Sequence, residues 1–307
     1  MAGITLSKVN KKFGDFTAVK DLSLEIGENR VVGFLGPNGA GKTTTIRMMV
    51  GLSKPTSGEI TIAGQKIVFG DASANSLFGY LPEQPAFYGW MTGEEYIDFI
   101  GQTFGFEVSK RKKRINELLA LTDLRDARKK RINTYSNGMK QRLGIAQALI
   151  NQPKVLIMDE PVSALDPIGR RQVLSVIESL KKDMTILLST HILSDVDRIC
   201  DDVAIINKGK LITFSPLSEL KGKYSTQILE VEFSNDPASI IFELKKESWA
   251  GKVEKEGNHL KIWLKDEASV AQNKPLKFFA NTQIGVLKYG LSLPEVEDLF
   301  IALTEEK

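Results

Sequence analysis

Residues 36 to 44 read GPNGAGKTT, the spacing G-x-x-x-x-G-K-[ST], between an apolar run, VVGFL at 31 to 35, and a helix-forming segment, KTTTIRMMV. Gly36, Pro37, Asn38, Gly39, Ala40 and Gly41 make a loop whose glycines let successive backbone N–H groups turn inward as an anion nest. The N-terminus of the following helix adds partial positive charge. Lys42 reaches the β and γ phosphates of a nucleotide held there, and the Thr43 hydroxyl is placed for Mg²⁺. A second acidic element matches it: VLIMDEP at 155 to 161 is an apolar strand ending in Asp159 and Glu160. Asp159 can bind the magnesium directly or through water, and Glu160 can polarise an attacking water. Such a pair could instead cap a helix or face solvent, but a phosphate loop demands a carboxylate partner for its metal. In YSNGMKQR at 135 to 142, Ser136 stands where a helix should begin, with Gly138 just after it. Hydroxyl, free N–H groups and helix dipole converge there, either as an anion site or merely as the helix's own cap.

These residues need a frame to hold them. Residues 3 to 9 and 22 to 26 alternate apolar and polar as an antiparallel edge would, whereas VVGFL is continuous like a buried parallel strand. Residues 92 to 150 read mostly helical, with Thr92 and Glu95 as a capping box and Ser109 as a second cap. VLIMD, a helix near 168 to 182, TILLS at 185 to 189 and VAII at 203 to 206 then restore the alternation of a parallel α/β sheet. From about residue 222 the order becomes β, α, β, β, α, β, with the second helix near 269 to 280, which suggests a ferredoxin-like unit. A last helix is expected from Ser292, capped with Glu295. The expected division is a main domain at 1–221, with a helical subdomain at about 92–150, and an accessory domain at 222–307.

Composition narrows the function classes. At 307 residues, 42% hydrophobic and 26% charged, the chain is neither disordered nor low-complexity. With 41 basic and 38 acidic residues, its net charge of +3 gives no electrostatic case for wholesale nucleic-acid binding. One cysteine, Cys200, excludes an intramolecular disulfide framework and points to a reducing, cytosolic compartment. Apolar runs are far short of the roughly 20 residues of a membrane-spanning helix, and no secretory signal is expected.

Taken together, the motifs resemble the ATP-binding cassette family of transporter ATPases over about residues 3 to 220. YSNGMKQR resembles the family's signature sequence, SALD at 163 to 166 its D-loop, and His191 in LLSTHIL its switch histidine. The resemblance implies a P-loop, RecA-like α/β core with an antiparallel β edge and a helical insertion. It implies ATP and Mg²⁺ as ligands, with Gly36 to Lys42, Thr43 and Thr44 around the phosphates and Glu160, His191 and Asp166 in the catalytic set. Phe13, in KKFGD, corresponds to the aromatic that stacks on adenine; the alternative for it is a core anchor beside the first strand. His191 alone would read as a satisfied core histidine, and only the family position assigns it to the γ-phosphate. At the Q-loop, LPEQPAFYGWMT at 81 to 92 puts Glu83 at the aligned position and Gln84 after it, so Glu83, with Gln84 as understudy, joins Thr43 and Asp159 at the metal. Tyr135, Asn137 and Met139 depart from the commonest signature, while Ser136 and Gly138 keep the residues that would touch the phosphate of a second, head-to-tail cassette.

The function this implies is the ATP-hydrolysing subunit of a transporter, resembling the exporter-like branch that serves drugs, peptides, sodium or polysaccharide. Its implied partners are a separate transmembrane permease and a second cassette, identical or not, and its place is the cytoplasmic face of the membrane. The alternative is a soluble cassette switch acting on ribosomes or DNA. Against it, only about 93 residues separate Lys42 from Tyr135, without heptads, and there is one cassette. Basic runs at Lys110 to Arg114 and Arg125 to Arg131 are either solvated faces or contacts for anionic headgroups.

Overall fold

The computed structural model describes residues 2–163, 165–223, 228–265, 273–292 and 296–305. The chain divides into two compact units, Met1–Leu217 and Ser218–Lys307. The first opens with β1 (Ala2–Phe13), β2 (Phe16–Gly27), β3 (Val31–Leu35), α1 (Lys42–Met49), β4 (Ser57–Ile62), β5 (Gln65–Lys66) and β6 (Phe78–Leu81). It continues through α2 (Gly93–Thr103), α3 (Val108–Leu121), a 3-10 turn (Ile132–Thr134), α4 (Asn137–Ala148), β7 (Val155–Asp159), α5 (Pro167–Leu180), β8 (Thr185–Thr190), α6 (Leu193–Ile199), β9 (Asp202–Asn207) and β10 (Lys210–Pro216). The division falls at the start of α7 (Leu217–Lys223). The second unit then holds β11 (Ile228–Phe233), α8 (Ala238–Leu244), β12 (Ala250–Glu256), β13 (His259–Leu264), α9 (Lys274–Ala280), β14 (Val286–Ser292) and α10 (Val296–Glu305).

The first unit carries a six-stranded sheet in the order β10-β9-β3-β8-β7-β6, parallel from β9 to β6 with β10 antiparallel at its edge. Every residue of β3, β7 and β8 is buried, which is why these strands read as unbroken apolar runs. A second sheet, β2-β1-β4-β5, is antiparallel and amphipathic, as the alternation requires. Ile4, Leu6, Ile26 and Ile62 from this sheet share a core with Phe34, Ile157 and Leu187 of the parallel one. The parallel register pairs Leu35 with Thr190 and Asp159 with Ser189. The carboxyl ends of β3, β7 and β8 therefore lie side by side, the edge where open α/β sheets bind ligands.

Between β6 and β7 the chain is helical. Thr92 accepts from the Glu95 N–H at 3.2 Å and Glu95 accepts from the Thr92 N–H at 2.8 Å, so the capping box forms as read. Ser109 does not cap α3: the helix begins one residue earlier, at Val108, after Glu107, which contributes no side-chain cap. Ile97, Leu118 and Leu119 are fully buried, and truncating either leucine to alanine would cost about 2–5 kcal/mol.

The second unit realises the β, α, β, β, α, β order as one antiparallel sheet, β12-β13-β11-β14. Trp249, Phe233 and Phe279 fill its core, with the Trp249 and Phe279 rings edge-to-face at 6.3 Å. Two expectations shift here. Ser292 ends β14 and donates its hydroxyl to Glu230 rather than opening the last helix, and its supposed partner Glu295 lies outside the described residues. The helix expected from 269 is described from Lys274 onward. No helix among the described residues is long and apolar enough to cross a membrane.

Candidate phosphate site

The loop from Gly36 to Gly41 leaves β3 and turns into α1 through left-handed backbone at Gly39 (φ 79°) and Gly41 (φ 103°). A Cβ on Gly41 would stand 2.7 Å from the Ala18 carbonyl, so only glycine fits. A Cβ on Gly39 would meet nothing within 4 Å: space beside this turn stays open. Gly41 offers no side-chain cap to α1, so the first-turn N–H groups remain available to an anion. Pro37 to Thr44 line a cavity of about 380 Å³, closed by Phe16, Ala18, Glu83, Glu160 and His191.

Lys42 is buried, and its ammonium donates to the Gly36 carbonyl at 2.6 Å and the Pro37 carbonyl at 3.4 Å. The Glu160 Oε1 lies 3.8 Å away as its counter-charge. On its other side Glu160 meets His191, Oε2 to Nδ1 at 2.8 Å. Glu160 itself has left-handed backbone (φ 48°), a strain of about 1–3 kcal/mol for a non-glycine residue. Its N–H donates to the Ser189 Oγ at 2.9 Å, and that hydroxyl donates to Asp159 Oδ1 at 2.6 Å. Ser189 thus fixes both carboxylate residues at once. Sequence alone does not single it out: Ser189 is one of three hydroxyl residues in the strand TILLST, and only the parallel register sets it opposite Asp159. Burial, and then the charge of Asp159, push the Tyr80 phenol above its ordinary value.

The oxygens of Thr43, Asp159 and Glu83 suit Mg²⁺, which takes few protein ligands and keeps water and phosphate for the rest. Glu83 lines the phosphate cavity and also a second cavity of about 330 Å³, which Gln84 lines beside Asn137, Lys140, Gln141, Ser163 and Leu165 while staying out of the first.

Phe13 stands outside the phosphate cavity, half-exposed, with the Lys11 ammonium 4.7 Å from its ring centroid. Its partner across the β1–β2 turn, Phe16, supplies the aromatic wall instead. Ser136 caps α4, its Oγ accepting from the Met139 N–H at 3.2 Å. Asp166 caps α5 by accepting from the Gly169 N–H at 3.0 Å, and a Cβ on Gly138 would come 3.4 Å from the Gly169 Cα. Ser136, Gly138 and Asp166 therefore gather where α4 and α5 meet, and none of them lines the phosphate cavity. Tyr135 is buried and donates to the Ala127 carbonyl at 2.8 Å, which anchors the start of α4.

Part of the basic character of the two runs is met internally: Arg111 pairs with Asp98, Arg114 with Glu117, and Arg128 with Glu94. After Pro85, Tyr88 and Trp90 stand exposed, and Tyr88 meets Phe99 edge-to-face at 5.9 Å.

Residues 19–163 match the family described as ABC transporter. The chain is 46% identical over 225 residues to YxlF, an uncharacterized ABC transporter ATP-binding protein of Bacillus subtilis, covering 73% of this chain and 75% of that one. It is 36% identical over 308 residues to the bacitracin transport ATP-binding protein BcrA of Bacillus licheniformis, covering 98% and 96%, second unit included. A dimeric ATP-binding cassette in a post-hydrolysis state, bound to ADP and Pi, superposes with a TM-score of 0.63 at 26% identity, covering 70% of this chain and 98% of the other.

Proposed function

Because the chain belongs to the ATP-binding cassette family of transporter ATPases, binding nucleotide and hydrolysing ATP, we propose that it is the motor of an exporter whose membrane-spanning part is a separate permease. The observation that carries this reading is the Lys42–Glu160–His191 constellation against an open glycine nest. In it, the nest N–H groups and Lys42 hold the triphosphate. Glu160 takes a proton from the attacking water as the new P–O bond forms and the bond to the β–γ bridging oxygen breaks. His191, hydrogen-bonded to Glu160, orients that carboxylate and contacts the γ-phosphate. Mg²⁺ held by Thr43, Asp159 and Glu83 would offset the phosphate charge.

Two copies meet head to tail, so that Ser136 and Gly138 of one reach the nucleotide on the P-loop of the other, with Asp166 at the same face. Phe13 or Phe16 stacks on the base. The exposed Tyr88, Trp90 and Phe99 patch is the docking surface for the permease at the cytoplasmic face of the membrane. Full-length likeness to the bacitracin transport protein supports the drug- and peptide-serving branch.

The test is ATP-dependent phosphate release by the purified chain, together with co-purification from membranes. Capture of a multi-span membrane protein is expected; co-sedimentation with ribosomes instead would overturn the transporter reading.

A further inference from the structure

Gln141 stands in the second turn of α4, the helix that Ser136 opens, and is only 5% exposed. Its Nε2 donates to the Glu83 carbonyl at 3.1 Å. Its Oε1, equally buried, has no hydrogen-bond partner among the described residues. A buried acceptor left unmet costs stability, and holding one carbonyl requires only a donor. The amide therefore brings an acceptor that this arrangement does not use. Gln141 lines the cavity of about 330 Å³ that Gln84 and Pro85 bound on one side, Asn137 and Lys140 on another, and Ser163 and Leu165 on a third. Glu83 lines both this cavity and the phosphate cavity.

We propose that Gln141 is a positioning residue that couples the two nucleotide sites: it passes the displacement of α4, whose Ser136 and Gly138 contact the second copy's phosphate, to Glu83 in the chain's own phosphate cavity. Oε1 takes up a donor from the cavity lining when the cavity closes, which gives the link two discrete arrangements. This rests on the head-to-tail reading above.

A double-mutant cycle on the full-length chain tests it. Gln141→Leu removes both the link and the unmet acceptor, so a merely structural glutamine would leave turnover alone. The coupling role instead lowers turnover about tenfold and moves the Hill coefficient for ATP towards unity, with the thermal midpoint unchanged or raised and ATP affinity within about twofold. In a Glu83→Ala background the same substitution should cost less than about twofold, because its effect passes through Glu83. Equal losses in both backgrounds, or full turnover with unchanged cooperativity, overturn the proposal. Should the leucine variant fold poorly, Gln141→Glu keeps the packing while setting a carboxylate against the Glu83 carbonyl, and the same non-additivity must hold. The dimer reading is scored apart, by ATP-dependent dimerisation of Glu160→Gln. A missing dimer counts against that reading and the proposal with it, whereas a dimer with additive losses counts against the proposal alone.

Discussion

His191 Nδ1 lies 2.8 Å from Glu160 Oε2, while the other oxygen of that carboxylate faces Lys42. A carboxylate so placed can take a proton from water, which the amide of glutamine cannot do. Glu160→Gln should therefore keep ATP affinity within a few-fold while turnover falls about 10²–10⁴-fold. The trapped nucleotide should also accumulate a dimer. Phosphate release and gel filtration with ATP read the two effects; full turnover in the variant would remove Glu160 from its role.

Ser189→Ala tests whether one hydroxyl serves both carboxylate residues. Without it the buried Asp159 loses a donor and the Glu160 N–H loses its closest acceptor. The denaturation midpoint should drop by an amount equivalent to about 1–3 kcal/mol. Turnover should drop as well, because Glu160 holds its strained backbone against that bond. A fall in stability with unchanged turnover would show that Ser189 supports the strand alone.

Glu83 and Gln84 are neighbours in sequence and both line the cavity beside α4, but of the two only Glu83 also lines the phosphate cavity. A carboxylate near Mg²⁺ strengthens its binding by charge, so Glu83→Gln should raise the half-saturating magnesium concentration several-fold while Gln84→Ala leaves it in place. Equal magnesium curves for the wild type and Glu83→Gln would mean that the carboxylate has no role beyond that of an amide.

Legibility in the sequence followed the physics of each element. β3, β7 and β8 could be read because burial on both faces demands unbroken apolar runs, and the glycine loop because its backbone needs φ angles that other residues resist. The order of the small sheet followed from alternation and turn residues. Long-range pairings were not legible. Ser189 meets Asp159 only through the parallel register, and Gln141 meets Glu83 only once α4 is folded back beside the segment after β6. Phe16 reaches the cavity because β1 and β2 are longer and more closely paired than the alternation at 3 to 9 and 22 to 26 indicated. Ser109 and Ser292 were read as caps from spacing, but α3 starts a residue earlier and Ser292 is drawn off by Glu230.

Gly39 and Gly257 share left-handed backbone and open space around an added Cβ, at φ 79° and φ 58°. Alanine at either position should cost about 1–2 kcal/mol from the backbone alone. Only at Gly39 would the methyl group and the shifted N–H disturb the phosphate nest, so ATP affinity should fall there and stay unchanged for Gly257→Ala. Isothermal titration with ATP and parallel thermal melts separate the two effects; equal ATP affinities would argue that phosphate does not approach the Gly39 turn.

Arg128 hydrogen-bonds Glu94 and holds its carboxyl below the ordinary value. A folded value below the unfolded one, about 4.3 for Glu, means that the pairing contributes stability above that pH and loses it as pH falls through the depressed folded value. Glu94→Gln removes this titration. The wild type should be the more stable at pH 7, by less than about 1 kcal/mol because the pair is partly exposed. The gap should shrink below about pH 4 and narrow at high salt even at pH 7. Turnover near pH 7 should not change, since Glu94 lines neither the phosphate cavity nor the one beside α4. Thermal melts of both proteins from pH 7 down to about pH 3 check the sign. A stability gap that stays constant across that range would mean that Arg128 stabilises this corner by packing and its bond to Asn116 rather than through the charge of Glu94.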